Sequence, residues 1–342
     1  MFPLQPKDTN GATLNPSAHL ALRPTAGPVS ARLTSCDPLS PSIFHETWWL
    51  DAATGGDFDV VEVTAGARTV GRLPVCLRSR FRLRELRMPV MTPFLGPAVD
   101  EGAGSANNRF LKRHDITLEL IDKLPRASSQ YIKCHRGVRE VIAFQERRFR
   151  TYVQFTHEIQ AEAEPSLWEH MRDKTRNVIR RAEEQLSVRH ISDPSEFMSL
   201  YERNLAERGL RNELDSSRCR QVIAASLERG RGEILAACNG QGHIAAANFC
   251  VWDDTATFYL LSTRAGDAGN GATSLLIWEA IKTSASRGLL FDLAGLGNQG
   301  SVLLYSGFGG TVSSRFVALR TTLGRRLLSE TKALLRPDSY FY

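Results

Sequence analysis

Apolar positions along this chain switch between a period of two and a period near 3.6, and the switches mark its elements. Alternating residues at 60–63 (Val60, Val61, Val63) and 70–75 (Val70, Leu73, Val75), joined across Ala65-Gly66-Ala67, predict a hairpin. A second hairpin is predicted where 232–238 and 244–252 flank Asn239-Gly240-Gln241-Gly242, with a further strand at 256–262. Strands are also expected at 151–155, at 289–293 and along the alternating run 311–319. Helical spacing is found at 106–115 (leading into the apolar stretch 116–120), 193–208, 216–228 and 273–286, and an aromatic-rich helix carrying Phe44, Trp48 and Trp49 at 42–51. Between them, 88–97 holds Pro89, Pro93, Gly96 and Pro97, which forbid regular structure there and leave either a substrate-lining loop or a connector.

One junction carries chemistry. The strand 256–262 passes through Ala265-Gly266-Asp267-Ala268-Gly269-Asn270-Gly271 into the helix 273–286. A glycine-rich turn lets backbone approach an anion, and a helix start offers unpaired N–H groups and the positive end of its dipole. Gly269, Asn270, Gly271 and Ala272 are therefore the candidate pyrophosphate cradle, against the plainer reading of a tight connection that binds nothing. After the helix, Arg287-Gly288 stops it and 289–293 ends in the acidic Asp292, at the carboxyl end of a central strand where open α/β sheets bind ligands.

Composition narrows the classes. The 342 residues are 42% hydrophobic and 23% charged, enough for two globular domains. The six cysteines form no CxxC pair and the histidines no HxxxH, so no metal site is encoded by spacing; free thiols in a reducing cytosol are expected. No apolar run reaches membrane-spanning length and no signal peptide opens the chain, so a cytoplasmic protein without a transmembrane segment is expected. The net charge of +6 suits an anionic ligand. Arginines cluster at 78–87, at 136–150 and at 172–181, without the interleaved aromatics of a single-strand nucleic-acid binder, and no DNA partner is expected. Residues 1–35 lack periodicity and are expected to form a flexible leader, and 324–342 a basic helical tail.

The order Gly-Asn-Gly-Ala, Leu-Leu-Ile-Trp-Glu-Ala-Ile, Phe-Asp-Leu-Ala-Gly, then Leu-Tyr-Ser-Gly-Phe-Gly-Gly resembles the C-terminal half of GNAT-superfamily acyltransferases, in their Fem-like and BioF2-like branch. The basic block from Leu167-Trp168 through Lys174-Thr175-Arg176-Asn177-Val178-Ile179-Arg180-Arg181 resembles the helix that opens the second domain of those proteins. The resemblance implies an α/β fold of tandem GNAT-like mixed sheets flanked by helices: a first, degenerate domain over 36–150 and a second, acyltransferase domain over 151–323. It departs from the family twice. Gly266 stands where the acetyltransferase signature has Gln or Arg, with Arg264 two positions too early, and no Lys precedes the Phe-Gly pair at Leu304-Tyr305-Ser306-Gly307.

What the resemblance implies is an acyl-CoA co-substrate, acetyl-CoA or another, and direct transfer to an amine or hydroxyl of a small-molecule or lipid-linked sugar acceptor in cell-envelope or exopolysaccharide biosynthesis. Asp292 is the candidate proton acceptor, or alternatively a cap on the Gly295 loop. Tyr305 and Tyr259 are candidate donors to a leaving thiolate, or packing rings. Lys174, Arg176 and Arg180 are candidate acceptor-binding cations, with Arg176 and Arg180 on one helix face at i, i+4, or a solvated face. The acceptor is expected in a cleft bordered by 88–97, the basic helix and Asp292. Two alternatives stay open: an aminoacyl-tRNA-dependent Fem-like peptidyltransferase, opposed by the missing Lys, and a non-catalytic scaffold of polysaccharide assembly.

Overall fold

The computed structural model describes residues 37–80, 83–266, 269–322 and 324. A 3-10 turn at Ile43–His45 and α1 (Thr47–Thr54) realise the aromatic segment, and the first hairpin forms as β1 (Asp59–Ala65) and β2 (Arg68–Arg80), paired from Asp59↔Val75 to Ala65↔Arg68 with a register shift between Val63 and Thr64. β3 (Leu83–Arg87), the short β4 (Ala98–Val99) and α2 (Ala106–Asp122) follow. The expected helix and apolar stretch are one helix, started by Ser105, whose hydroxyl accepts from the Asn108 N–H at 3.3 Å. Ile116, Leu120 and Ile121 lie on the stripe that covers the hairpin, so the apolar run continues the helix. β5 (Ser129–Lys133) and α3 (Ile142–Glu146) complete the first half, and β6 (Arg150–Ile159) opens the second.

The basic block folds as two helices, α4 (Glu164–His170) and α5 (Asp173–Glu183), where one was expected. The break falls at Met171 and Arg172, both with extended backbone. Met171 turns into the core, and the Arg172 N–H donates to the Gly307 carbonyl at 3.0 Å. Next come β7 (Leu186–His190), α6 (Pro194–Glu207), α7 (Ser216–Glu228), β8 (Gly232–Asn239), β9 (Ile244–Trp252), β10 (Ala256–Arg264), α8 (Asn270–Ser286), β11 (Leu290–Asp292), α9 (Gln299–Tyr305) and β12 (Thr311–Thr321). β7 and α9 had no counterpart in the sequence pattern, being short and half-polar. The leader over 1–35 and, but for Gly324, the tail over 324–342 lie outside the described residues.

All strands join one mixed sheet in the order β1-β2-β3-β5-β12-β6-β11-β10-β9-β8-β7, with β4 beside β2. The last strand returns to the middle, antiparallel to both β5 (Leu319↔Tyr131) and β6 (Val317↔Tyr152). Three cores cover it. α2 and α3 pack on the hairpin and β5. α1, α6 and α7 pack on one face of β8–β10, so Trp49 and Leu50 from the start of the described chain meet Val222, Ile223 and Phe249. α8, with α4 and α5, packs on the opposite face. Among the described residues no helix is long and apolar enough to cross a membrane.

Candidate active site

β11 pairs in parallel with β10 only from Ala256↔Leu290 to Phe258↔Asp292, whereas β10 continues to Arg264. The two strands part, leaving one backbone edge of β10 without a strand partner beyond Phe258 among the described residues. A register shift against β9 between Tyr259 and Leu261 marks a bulge at the same place. Tyr259 is buried there, and the Tyr305 ring at the end of α9 meets it edge to face with centroids 6.3 Å apart. Burial raises the Tyr305 phenol to about 12 and pushes Tyr259 well above its ordinary value, so both rings keep their protons at neutral pH.

α8 starts where β10 ends. Its N-cap, Gly269, has extended backbone (φ −64°, ψ 165°) and no side chain to satisfy the first N–H groups. A cavity of ≈ 480 Å³ opens beside this helix start, and Gly269, Gly271 and Ala272 share its wall with Arg181, Gln185 and His243. A cationic side chain and the first N–H groups of a helix, placed together, suit a pyrophosphate. Gly271 has a second reason to be glycine: a Cβ there would stand 3.2 Å from the Ala182 Cβ, so α5 and α8 approach closely only without it.

The structure distributes the basic block differently from the sequence reading. Arg176 and Arg180 do share a face, and that face is turned to α4. Arg176 donates to the carbonyls of Trp168 and Glu169, each at 3.3 Å, and pairs with Asp173; Arg180 lies over the Trp168 ring at 5.3 Å and donates to Asn177 Oδ1 at 3.4 Å. Lys174 is exposed. The basic-block cation at the cavity beside the α8 start is Arg181. Its signal was the spacing Val178, Arg181, Ala182, Gln185, an i, i+3, i+4, i+7 stripe that places Arg181 on the α8 side.

Asp292 is fully buried and fully engaged. Its Oδ1 accepts from the Thr156 hydroxyl and, at 2.8 Å, from the Ala294 N–H, and its Oδ2 accepts from Arg315 Nη2 at 2.9 Å. The same Nη2 pairs with Glu158, whose other oxygen accepts from the Ser313 hydroxyl at 2.6 Å. Burial pushes Asp292 up, only partly offset by Arg315 and Thr156; Glu158 is also penalised by burial, but Ser313 and Arg315 bring it below its usual value. The bond to Ala294, which has a positive φ of 56°, is the loop-capping role that the sequence allowed. Asp292 sits on the face of its register partner Phe258, Tyr259 on the face of Phe291. The three candidate catalytic groups are thus divided between the two faces of the sheet.

The 88–97 loop and α5 do not border one cleft: Phe94 and Leu95 pack in the α1 core and Ile179 and Ala182 in the α8 core. Pro97 instead lines a cleft of ≈ 1100 Å³ on the Arg315 face, between α2, the 135–140 segment and β12. Glu158 and Arg315 belong to it and were not singled out from the sequence. Their signal was polar residues at every second position of strands central to the sheet, Gln154, Thr156 and Glu158 in β6, and Ser313 and Arg315 in β12.

Residues 169–300 match the acetyltransferase (GNAT) domain family. Solved structures of similar fold include FemX (TM-score 0.60, 12% identity, 85% of this chain and 95% of that one). They also include the C-terminal domain of a protein described as a lysylphosphatidylglycerol synthetase from Agrobacterium fabrum (TM-score 0.54, 13% identity, 87% and 95%). A conserved protein from Bacteroides thetaiotaomicron is similar as well (TM-score 0.52, 12% identity, 79% and 90%). No curated protein sequence matches the chain significantly.

Proposed function

We propose, from the premise that this chain is an acyltransferase of the GNAT superfamily with a Fem-like fold, that it moves an acyl group directly from acyl-CoA to an amine or hydroxyl. One observation carries the reading: the parted strands β10 and β11 open beside an α8 start whose N–H groups, with Arg181, face a cavity. The N–H groups of Asn270, Gly271 and Ala272 and the Arg181 guanidinium would hold the donor's pyrophosphate. The free edge of β10 offers backbone donors and acceptors to the donor's amide-bearing arm. The acceptor's nucleophile attacks the thioester carbonyl and the carbon–sulfur bond breaks; Tyr305, with Tyr259 packed against it, gives its proton to the leaving thiolate and takes in exchange the one the nucleophile loses. An acceptor on a sugar or cell-envelope precursor follows from the family resemblance.

The fold shared with FemX keeps aminoacyl-tRNA as the second donor to test, against the absence of Lys before Phe308. Calorimetric titration with coenzyme A and acetyl-CoA, on the wild type and Gly269→Glu, separates the two. Gly269 is the position to use, since a Cβ there meets nothing within 4 Å, whereas one at Gly271 would press on α5. Micromolar binding in the wild type, weakened at least about tenfold by the carboxylate at the helix start, is expected; no binding in the wild type moves the donor to aminoacyl-tRNA. Tyr305→Phe should lower kcat by roughly 10²- to 10⁴-fold with coenzyme A affinity unchanged, and an unchanged kcat would remove Tyr305 from the proton transfer.

A further inference from the structure

The ≈ 1100 Å³ cleft is lined by five arginines, Arg109, Arg113, Arg136, Arg139 and Arg315, against three glutamates, Glu101, Glu140 and Glu158. Every glutamate is engaged. Glu101 takes Arg113 at 2.7 Å, Glu140 accepts the Ile142 N–H at 2.8 Å and stands 3.9 Å from Arg113, and Glu158 is held by Ser313 and Arg315. The guanidinium groups of Arg109, Arg136 and Arg139 are left with no hydrogen-bond or ion-pair partner among the described residues; Arg136 reaches Glu158 only through space. His135 adds no charge. Its Nδ1 accepts from the Gly137 N–H at 3.1 Å and its Nε2 donates to the Pro97 carbonyl at 3.0 Å, which fixes the neutral ring. Deeper in, Arg315 is 5% exposed and its Nε has no partner.

Three unmatched guanidinium groups around one concavity repel each other, and the carboxylates nearby are already taken. Their planar forks fit phosphate oxygens two at a time. A single phosphate is far smaller than this space, which is of the size that takes a whole small-molecule ligand. The burial gradient runs from the exposed Arg109 and Arg139 through the half-buried Arg136 to Glu158 and Arg315 at the floor. We infer that this cleft is the acceptor site and that it takes a small molecule bearing a phosphate or diphosphate, gripped by Arg109, Arg136 and Arg139. The assignment to the acceptor rests on the acyltransferase reading above; the anion site itself does not.

Inorganic pyrophosphate is the probe. Because it also fits the α8 start, the titration is made on Gly269→Glu, in which that site is blocked, and on Gly269→Glu combined with Arg136→Gln and Arg139→Gln. Neither arginine holds a bond in the fold, so the thermal melt should not move. Binding to the first protein, weakened at least about tenfold in the second, is expected. Equal binding in both, or none in the first, overturns the site. Arg136→Gln/Arg139→Gln alone should bind coenzyme A as the wild type does. A wild type that binds no coenzyme A removes the donor reading and leaves the pyrophosphate result to stand by itself.

Discussion

His135 and His45 meet edge to face at 5.2 Å, and both ring nitrogens of each are committed. His45 receives the Ser42 hydroxyl at 2.9 Å on Nδ1 and reaches the Gly96 carbonyl at 3.3 Å through Nε2, so the pair clamps Gly96-Pro97. Burial lowers His135 from the usual 6.5 to about 4; the Pro97 carbonyl raises it a little and Arg315 and Arg136 lower it further. The unfolded chain therefore takes up a proton near pH 6.5 that the folded chain refuses until about 4. Stability should fall as pH drops through that window, by about 3 kcal/mol for His135 alone, and level off below it. Urea denaturation between pH 7 and 4 checks this, and His135→Gln should flatten the slope; an unchanged slope would clear His135 of the effect. At this scale Asp292, Tyr259 and Tyr305 were visible as residue types at telling positions. Glu158 and Arg181 were not, because a lone Glu in a strand and one Arg among many acquire meaning only from what they face.

At the scale of elements, Ser306-Gly307-Phe308-Gly309-Gly310 shows why the motif needs its glycines. Gly309 and Gly310 have φ of 77° and 82°, and a Cβ on Gly310 would collide with the Glu158 carbonyl of β6, as one on Gly307 would with the Thr175 hydroxyl of α5. The motif is the corner where α4, α5 and β6 touch the chain on its way into β12. Gly310→Ala should cost about 3 kcal/mol, from the left-handed backbone together with overpacking. Gly297→Ala, with no positive φ and nothing within 4 Å, should leave the melting temperature in place. Equal melting temperatures for the two variants would refute the account. The glycine spacing was legible in the sequence, but the α4–α5 break was not, since its cause is the Gly307 carbonyl that receives the Arg172 N–H.

Across the whole molecule, β12 lies between β5 and β6, and on its β5 edge it joins residues more than half the chain apart. The division expected near Arg150 is thus crossed by the β12–β5 hydrogen bonds on one edge of the last strand, and by α1, which packs in the core of the second half. We expect one cooperative calorimetric transition for the described body, and no folded product from a fragment ending at Arg150, which lacks both β6 and β12. Two resolved transitions, or a protease-resistant N-terminal fragment, would show independent halves.

By itself, the sequence determined the local elements: both hairpins, the helices α6 and α7, the glycine junction into α8, and the resemblance that pointed to acyl transfer. Periodicity, turn chemistry and helix-start geometry act over a few residues, so they can be read in order along the chain. Only the tertiary structure decided that Asp292 is sealed in a cluster with Thr156, Glu158 and Arg315, and that Arg176 and Arg180 hold α4 while Arg181 faces the cavity beside the α8 start. It also decided that three unpaired arginines share one cleft. Each of those facts depends on strand order and helix placement, which bring together residues distant in sequence, and a buried charge takes its role from such neighbours.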